Sequence, residues 1–426
     1  MTSAVGRPRS ADSRQSILIM SEKLNPQQVI KFGLIIFAIF SPFSISAAQI
    51  GFGIALLGWL LKILWTNKLS WQNSFWDMPI LFYLLAVVIS IVFSQDFMKS
   101  LGSFKDEWLI LLLFLVINNV DDVKFIRKLL DIVIGISVIV AIYAIFQHYT
   151  GQDLYHQRIL EEVFDTGQYR ALGNFSIPIT YSFYALLVSI VSFCLGAFEK
   201  NKEKKIFYYA ACFICVTGNL FTYTRATLIA QIVAFAAFFY LCSVRKRRFE
   251  LWLVVGYFVI IFFINPWIFV RFGEIGHEST PFERLVIWKT SLRIFLDHLI
   301  IGIGFGNFMG FYEQYLRIPA RIFGHAHNDF LNVAVHAGLI GLSAFVWLWV
   351  RAWRSLRKLL QKTKDERYKP FVLAGFIAVP AYLVASQFQC YYTDAIDNMI
   401  LFFVLGMATS AGMIYQRHSL KQSNLT

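Results

Sequence analysis

Long uninterrupted blocks of apolar residues, separated by short polar or basic stretches, dominate this chain. A helix needs about 20 such residues to cross roughly 30 Å of hydrocarbon. Blocks of about that length recur along the whole sequence and predict an all-α polytopic membrane protein with about 12 transmembrane helices. The predicted spans lie near 30–47, 48–66, 77–95, 106–120, 128–149, 175–198, 206–222, 226–243, 250–270, 328–350, 370–390 and 396–416.

The composition changes this picture little. Of the 426 residues, 57% are hydrophobic and 15% charged, which is too apolar for a soluble protein of this length. We therefore expect one membrane domain over 1–426, with a long loop at 271–327 that contains short helices. The residues before the first apolar block are polar and basic, so no cleavable signal peptide is expected. The five cysteines lie in or beside apolar blocks, and no disulfide framework is expected.

The net charge of +13 could indicate a nucleic-acid partner, but its distribution argues for membrane orientation. If both termini are cytoplasmic, most of the 39 basic residues fall in cytoplasmic loops, as the positive-inside rule requires. The basicity then reflects orientation and contact with anionic membrane lipids, so no nucleic acid is expected. The 271–327 loop and the 150–174 loop would lie on the outer side.

Few basic residues remain on the outer side, and they are candidates for chemistry because orientation does not require them. Arg225 lies in a turn between two long apolar blocks and could bind an anion or simply anchor at the membrane boundary. Arg170 precedes another apolar block and could equally be an ordinary polar loop residue. The outer arginines are Arg158, Arg170, Arg225, Arg271, Arg284, Arg293, Arg317 and Arg321.

The long loop contains a predicted amphipathic helix. Thr280 can cap it, Pro281 suits its first position, and Glu283 completes a capping box. Arg284 falls within the predicted apolar arc and needs a partner, unless it extends to lipid headgroups, because a guanidinium keeps its charge. The apolar arc comprises Leu285, Trp288, Ser291, Leu292 and Phe295, and the polar arc comprises Glu283, Lys289, Thr290, Arg293 and Asp297.

The end of the long loop carries a histidine motif, His325-Ala326-His327-Asn328. A histidine at the rim of a span can act as a general base near neutral pH, or it can merely hydrogen-bond its neighbours. An H-x-H metal site is the less favoured alternative, because no acidic ligand accompanies it. We therefore expect neither a metal nor another cofactor. His336, farther into the span, could be structural or functional.

Three glycines before the histidine motif could indicate a nucleotide-binding site. Gly302-x-Gly304-x-Gly306 resembles a nucleotide fingerprint but lacks the strand–helix context, so a tightly turned loop is expected.

Taken together, these motifs resemble the O-antigen ligase and polymerase superfamily. The run HAHNDFLNVAVHAGLIGL is similar to its H-x-H-N-x-[YF]-L signature, and ERLVIWKTSLRIFLDHLIIGIGFGNF is similar to its R-x-x-x-W followed by G-x-G-x-x-x-F. Thr224-Arg225-Ala226 matches its short T-R-[GA] turn, and Arg170 with Gly173 and Phe175 matches its R-x-x-G-x-F. The chain departs at His336, where the family usually has a glutamate.

The resemblance implies a bacterial inner-membrane glycosyltransferase of the C type with its active site facing the periplasm. It implies an O-antigen ligase that transfers a glycan from undecaprenyl diphosphate to the lipid A core with inversion and without a metal. The family's two essential arginines correspond to Arg225 and Arg284, which with Arg170 would bind the diphosphate. Its essential histidine corresponds to His327, the catalytic base. The supporting residues would be His325, Asn328 and Trp288.

Two other functions remain open at the level of sequence. A polymerase of O-antigen or exopolysaccharide would use the same donor class with a glycan acceptor. A flippase or transporter of lipid-linked sugars belongs to a different class, and it should place ionisable residues in mid-membrane. Here the candidate arginines are expected on one face instead, which favours an enzyme.

Overall fold

The computed structural model describes residues 25–68, 70–105, 107–163, 166–267, 279–318 and 321–423. The predicted start of the long loop, with Arg271, lies outside these residues, as do the basic residues of the N-terminus. The side chains of the predicted cap, Thr280 and Pro281, are not described either. The helix begins at Ser279, two residues before Pro281, its predicted first position.

Helices make up most of the described chain. In chain order they are α1 (Pro26–Phe40), α2 (Ile45–Thr66), α3 (Asp77–Val92), α4 (Phe97–Phe104), α5 (Leu111–Asn119), α6 (Val123–Thr150), α7 (Pro178–Phe198), α8 (Lys202–Leu220), α9 (Arg225–Cys242), α10 (Arg248–Ile264), α11 (Ser279–Asp297), α12 (Phe308–Tyr315), α13 (Asp329–Lys362), α14 (Lys369–Ala385) and α15 (Ala395–Ser423), with 3₁₀ turns at Glu107–Ile110 and Val244–Lys246.

Two small antiparallel hairpins follow α6. Strand β1 (Gln152–Asp153) pairs with β2 (Arg158–Ile159), and β3 (Glu162–Val163) pairs with β4 (Gln168–Tyr169).

Each predicted span overlaps a helix in the described residues, and the all-α membrane class is confirmed. Six helices in the described residues, α2, α6, α7, α9, α13 and α15, are long and apolar enough to cross a membrane. Three shorter apolar helices, α1, α3 and α14, accompany them. The chain is thus a multi-pass membrane protein, whereas the count of about 12 spans stays a prediction.

One predicted boundary was wrong. The first break falls at Ser41–Ser44 rather than at residue 47, because the Ser44 side chain accepts a hydrogen bond from the Ala47 amide and begins α2. Helix α13 extends beyond the predicted span 328–350 to Lys362, because its later turns keep a buried apolar side that includes Leu356 and Leu359.

The protein core lies around α7 and α15. In the most apolar stretch of each helix, 94% of the α7 residues and 89% of the α15 residues are buried inside the protein. The corresponding fraction in α2 is 28%. Helix α2 therefore has one face for the protein, which packs on α1, and a wide apolar face for lipid. Contact between α1 and α2 is close: a Cβ on Gly33 would lie 2.4 Å from the Ala55 amide nitrogen.

Helix α13 is broken inside the protein. Gly338 adopts φ 63° and ψ −161°, which interrupts the helical hydrogen bonds. The 299–304 segment crosses the break and replaces them: the Ile303 and Gly304 amides donate to the Val335 and His336 carbonyls, each at 3.0 Å. In return, the Leu339 amide donates to the Leu299 carbonyl at 2.7 Å. Irregular backbone within an apolar helix is tolerated here because other protein segments hydrogen-bond the freed amide and carbonyl groups.

The predicted cytoplasmic loops meet one another at one end of the bundle. Arg127, at the start of α6, pairs with Glu199 after α7, and Arg247 donates to the Ala197 carbonyl. Lys200 lies 3.8 Å from Glu366. The residues proposed for chemistry lie at the other end, so the bundle has a basic end and a separate candidate-site end.

Candidate functional site

The turn between α8 and α9 forms one wall of the site. Thr222 and Thr224 are buried, their hydroxyls hydrogen-bond each other at 2.9 Å, and Tyr223 adopts φ 53°. Arg170 joins this turn, donating from Nε to the Thr222 carbonyl at 3.2 Å. Burial lowers the pKa of Arg170, partly offset by Glu161, whose carboxylate lies 3.4 Å away on the surface. Arg170 and the Arg225 turn, separated in sequence, are thus adjacent.

Arg225 and Arg284 face the same space. Arg225 is the first residue of α9, and Arg284 lies in the second turn of α11. Burial lowers the pKa of Arg284 most; Tyr391 raises it, and the Arg225 guanidinium lowers it. Two cations held close enough to repel each other in a partly buried space favour binding of an anion.

Helix α11 presents Arg284 to the interior, as predicted, but its arcs were partly wrong. Leu285 and Leu292 are exposed, at 53% and 48%, whereas Thr290 is buried. The buried face instead carries Val286, Ile287, Thr290, Ser291 and Ile294, which pack towards the residues of 303–312 and the start of α13. The apolar residues on the outside suit a helix beside lipid, where an exposed leucine carries no penalty.

His327 lies near Arg284 and has a defined hydrogen-bond partner. Its Nδ1 lies 2.5 Å from Gln389 Oε1. Because that oxygen can only accept, Nδ1 carries the hydrogen, and Nε2 retains the lone pair that can take a proton. The backbone of His327 has φ 49°, an unusual conformation for a non-glycine residue, and such residues concentrate at functional sites.

The environment keeps His327 neutral at physiological pH. Burial lowers its pKa, the bond to Gln389 raises it, and Arg284 and Arg321 lower it further. The direction supports a base that is ready to accept a proton at pH 7. His325 stacks edge-on against His327 and accepts a hydrogen bond from its amide, and burial lowers the pKa of His325 to about 4.

The 386–394 loop, between α14 and α15, holds the start of α13, and the sequence analysis missed this role. The Asn328 side chain caps α13 at the Leu331 amide and also donates to the Gln387 carbonyl at 3.1 Å. Buried Asp329 accepts from the Tyr382 hydroxyl at 2.9 Å and from the amides of residues 391 and 392. Gln389 and Tyr391 therefore reach His327 and Arg284 from a rigidly attached loop.

The supporting residues differ in how the structure uses them. Asn328 and His325 contact the His327 region directly, as described above. Trp288 is partly buried, its ring centroid lies 6.4 Å from that of Phe388, and its indole nitrogen is buried with no hydrogen-bond partner among the described residues. Arg158 binds Asp153 within the first hairpin and donates to the Ser176 carbonyl just before α7.

His336 and the three glycines belong to the break in α13 rather than to the arginine cluster. The His336 imidazole bonds the Asn332 carbonyl and stacks on Phe305, with centroids 5.0 Å apart. Gly302, Gly304 and Gly306 all have positive φ, and a Cβ on Gly302 would lie 2.5 Å from the His336 carbonyl. This stretch is a tight turn, as expected, and within the described residues no group of three or more His, Cys, Asp or Glu side chains is placed to hold a metal.

Comparison with known proteins bears on this site. Residues 210–346 match the family described as O-antigen ligase, a stretch that includes Arg225, Arg284 and His327 but neither Arg170 nor Gln389. The chain is also 26% identical over 146 residues to the exopolysaccharide production protein ExoQ of Rhizobium meliloti (strain 1021). That match covers 32% of this chain and 33% of the relative, so it spans about a third of each protein.

The helices long enough to cross a membrane and the family match together define a multi-pass membrane protein similar to O-antigen ligases. The resemblance to the O-antigen ligase family inferred from the motifs is confirmed over residues 210–346.

Proposed function

We propose that this protein is a membrane glycosyltransferase that transfers a glycan from undecaprenyl diphosphate to an acceptor hydroxyl. The observation that carries the proposal is the convergence of Arg225, Arg284 and His327 on one space, with the Nε2 lone pair of His327 available. Guanidinium groups make charge-assisted, bidentate hydrogen bonds to phosphate oxygens. The N-termini of α9 and α13 also lie in this region and add positive potential.

The reaction follows from the placement of these groups. His327 Nε2 takes the proton of the acceptor hydroxyl while that oxygen attacks the anomeric carbon. The bond between this carbon and the lipid diphosphate breaks on the opposite face, which inverts the anomeric centre. Arg225 and Arg284, with Arg170 at the edge, stabilise the charge that develops on the departing diphosphate. No resident metal or other cofactor takes part in this scheme.

An apolar cavity supports a polyprenyl donor. It has a volume of about 420 Å³ and is lined by residues of α8, α9 and α10, including Leu220, Leu228, Ile232, Phe235 and Phe258. Its α9 residues recur on one helix face that begins one turn after Arg225. A polyprenyl chain lying there would keep its diphosphate at the level of the arginine cluster.

The orientation proposed from the loops follows the same arrangement. The basic loops meet at one end of the bundle, and Arg170, Arg225, Arg284 and His327 lie at the other. We propose about 12 spans in one membrane domain, with cytoplasmic termini and the 271–327 loop outside. In a bacterial inner membrane, the site then faces the periplasm.

The acceptor distinguishes two functions. The family match favours an O-antigen ligase whose acceptor is the lipid A core. The relative that is named an exopolysaccharide production protein favours a polymerase with a glycan acceptor as the second candidate. A flippase is less favoured, because the site arginines cluster at one end instead of along a mid-membrane pathway.

The test is a transfer assay with the purified full chain in sealed proteoliposomes and an undecaprenyl-diphosphate-linked glycan. Either the lipid A core oligosaccharide or a second lipid-linked glycan is offered as the acceptor. Product on the lipid A core alone identifies the ligase, and product on the glycan alone identifies the polymerase. Absence of transfer to either acceptor, together with movement of the donor across the vesicle membrane, contradicts the proposal and supports a flippase.

A further inference from the structure

The basic end of the bundle contains a groove that the proposed reaction does not use. It has a volume of about 440 Å³ and lies between the chain preceding α3, the later turns of α13, and α15. Three cations line it, Arg351, Lys358 and Lys362, together with Ser355. Apolar side chains, including Leu359, form part of its wall.

The cations share one face of α13 because of their spacing. Arg351, Ser355, Lys358 and Lys362 are separated by four, three and four residues, which places them in a row along the helix. Among the described residues, none of the three cations has a carboxylate within ion-pair distance. Nearby Asp77 is already engaged, accepting from the Ser74 hydroxyl and amide. Within the part of the chain that the structure describes, the row therefore presents positive charge without an acidic partner.

A second cavity continues the groove along the outer surface of α3 and α13. It has a volume of about 350 Å³ and shares Ser74, Phe75 and Arg351 with the first cavity. Its other lining residues are apolar or aromatic: Met78, Pro79, Phe82 and Trp347. Phe82 and Trp347 are 52% and 40% exposed, and their rings meet edge to face at 5.3 Å.

The order of polar and apolar surfaces matches a membrane lipid. Arg351 lies 13 residues after the break at Gly338, which corresponds to about 20 Å of helix, so the cations lie at the opposite end of α13 from His327. Positive charge at the membrane boundary with an apolar groove leading inward suits a negatively charged headgroup joined to acyl chains. A soluble phosphate compound has no acyl chain that could contact the apolar residues of the second cavity.

We propose that this groove is a binding site for an anionic phospholipid of the surrounding membrane. Arg351, Lys358 and Lys362 contact the headgroup phosphate, and the Met78, Phe82 and Trp347 surface holds an acyl chain. The site lies on the opposite side of the membrane from the proposed diphosphate site, and it does not depend on the transfer reaction.

The experiment is native mass spectrometry of the delipidated full chain titrated with phosphatidylglycerol, and separately with phosphatidylcholine. The wild type is expected to retain one phosphatidylglycerol at concentrations at which phosphatidylcholine is not retained. Combined Arg351→Gln, Lys358→Gln and Lys362→Gln should weaken that binding at least about tenfold, since each cation near an anionic lipid adds to the attraction. Inorganic phosphate at millimolar concentration should not displace the lipid.

A matched control removes the same charge outside the groove: Arg354→Gln, Arg357→Gln and Lys364→Gln, all exposed residues. This control should bind phosphatidylglycerol like the wild type. Equal loss in both triple variants, or unchanged binding in the groove variant, overturns the proposal and indicates unspecific surface charge. Displacement by inorganic phosphate overturns it in favour of a free phosphate. If the triple variant does not fold, Lys358→Gln against Arg357→Gln gives the same comparison with single substitutions.

Discussion

His327 and Gln389 are joined by a hydrogen bond of 2.5 Å between Nδ1 and Oε1, across 62 residues of sequence. The bond fixes which imidazole nitrogen carries the hydrogen and leaves Nε2 to act as the base. Gln389 does not need to touch the substrate for this, so it is a positioning residue for His327.

Removing that partner gives a first prediction. Gln389→Ala should lower the rate of glycan transfer by about 10- to 100-fold while donor binding changes little, because the histidine loses its fixed tautomer and orientation. Gln314→Ala, an exposed glutamine on α12, serves as the control and should behave like the wild type. Transfer and donor binding are measured on both variants. Wild-type transfer by Gln389→Ala would remove the positioning role.

The pH dependence of transfer gives a second prediction. Burial lowers the pKa of His327 below its ordinary value of about 6.5, so the neutral base is present above the lowered pKa and is lost as the pH falls through it. The transfer rate should therefore be flat near pH 7 and should fall only below about pH 6.5. Arg284 helps to lower this pKa, so replacing it should raise the pKa of His327. The residual activity of Arg284→Gln should therefore begin to fall at a higher pH than the wild-type activity does. Half-loss of wild-type activity above pH 7 would contradict the assignment.

The break in α13 gives a third prediction, on stability. Gly338→Ala places a side chain where φ is 63°, which costs about 1–3 kcal/mol, and its Cβ would lie 2.3 Å from the Ile300 carbonyl oxygen. The variant should unfold at a clearly lower temperature in detergent. Gly135→Ala, in α6 with nothing within 4 Å of the new Cβ, should unfold at or above the wild-type temperature. Equal midpoints for the two variants would show that the break tolerates a side chain.

Chelation gives a fourth prediction. If Arg225 and Arg284 neutralise the diphosphate, excess chelator should leave the transfer rate of the purified protein unchanged. The rate is compared before chelation, after it, and after magnesium or manganese is restored. A strict dependence on either metal would reject the arginine mechanism and return attention to His325 and His327 as ligands.

Much of the architecture could be predicted from the sequence, because membrane spans are recognised by the length and hydrophobicity of apolar segments. The arginine and histidine positions could also be chosen, since each is a polar residue that the membrane does not require. The inward direction of Arg284 followed from helical periodicity alone. The exposure of Leu285 did not, because a hydrophobic arc does not tell whether protein or lipid covers it.

What the sequence concealed depends on contacts between distant segments. Gln389 is an ordinary glutamine in a short loop, and only the fold brings it to His327. The break at Gly338 lies inside an apolar run that reads as one continuous helix. Its backbone groups find partners in the 299–304 segment, which sequence periodicity does not relate to α13.

The central claim is that Arg225 and Arg284 bind the diphosphate while His327 acts on the acceptor proton. Lysine at either arginine keeps the charge but loses the planar fork, so each variant should keep partial donor binding with poor turnover. His327→Ala should bind donor nearly normally and lose transfer by about 10²- to 10⁴-fold, because it removes an interaction needed only in the transition state. Lys289→Ala, exposed on the same helix as Arg284, is the control and should match the wild type.

The most direct measurement is donor binding and glycan transfer determined together on purified Arg225→Lys, Arg284→Lys, Arg284→Ala, His327→Ala and Lys289→Ala. The account predicts that Arg284→Ala loses binding and transfer together and that the two lysine variants keep partial donor binding with poor transfer. His327→Ala should lose transfer alone. Loss of donor binding in His327→Ala, with intact binding and transfer in Arg284→Ala, would contradict it. The histidine would then be the diphosphate ligand, and Arg284 would be a membrane anchor.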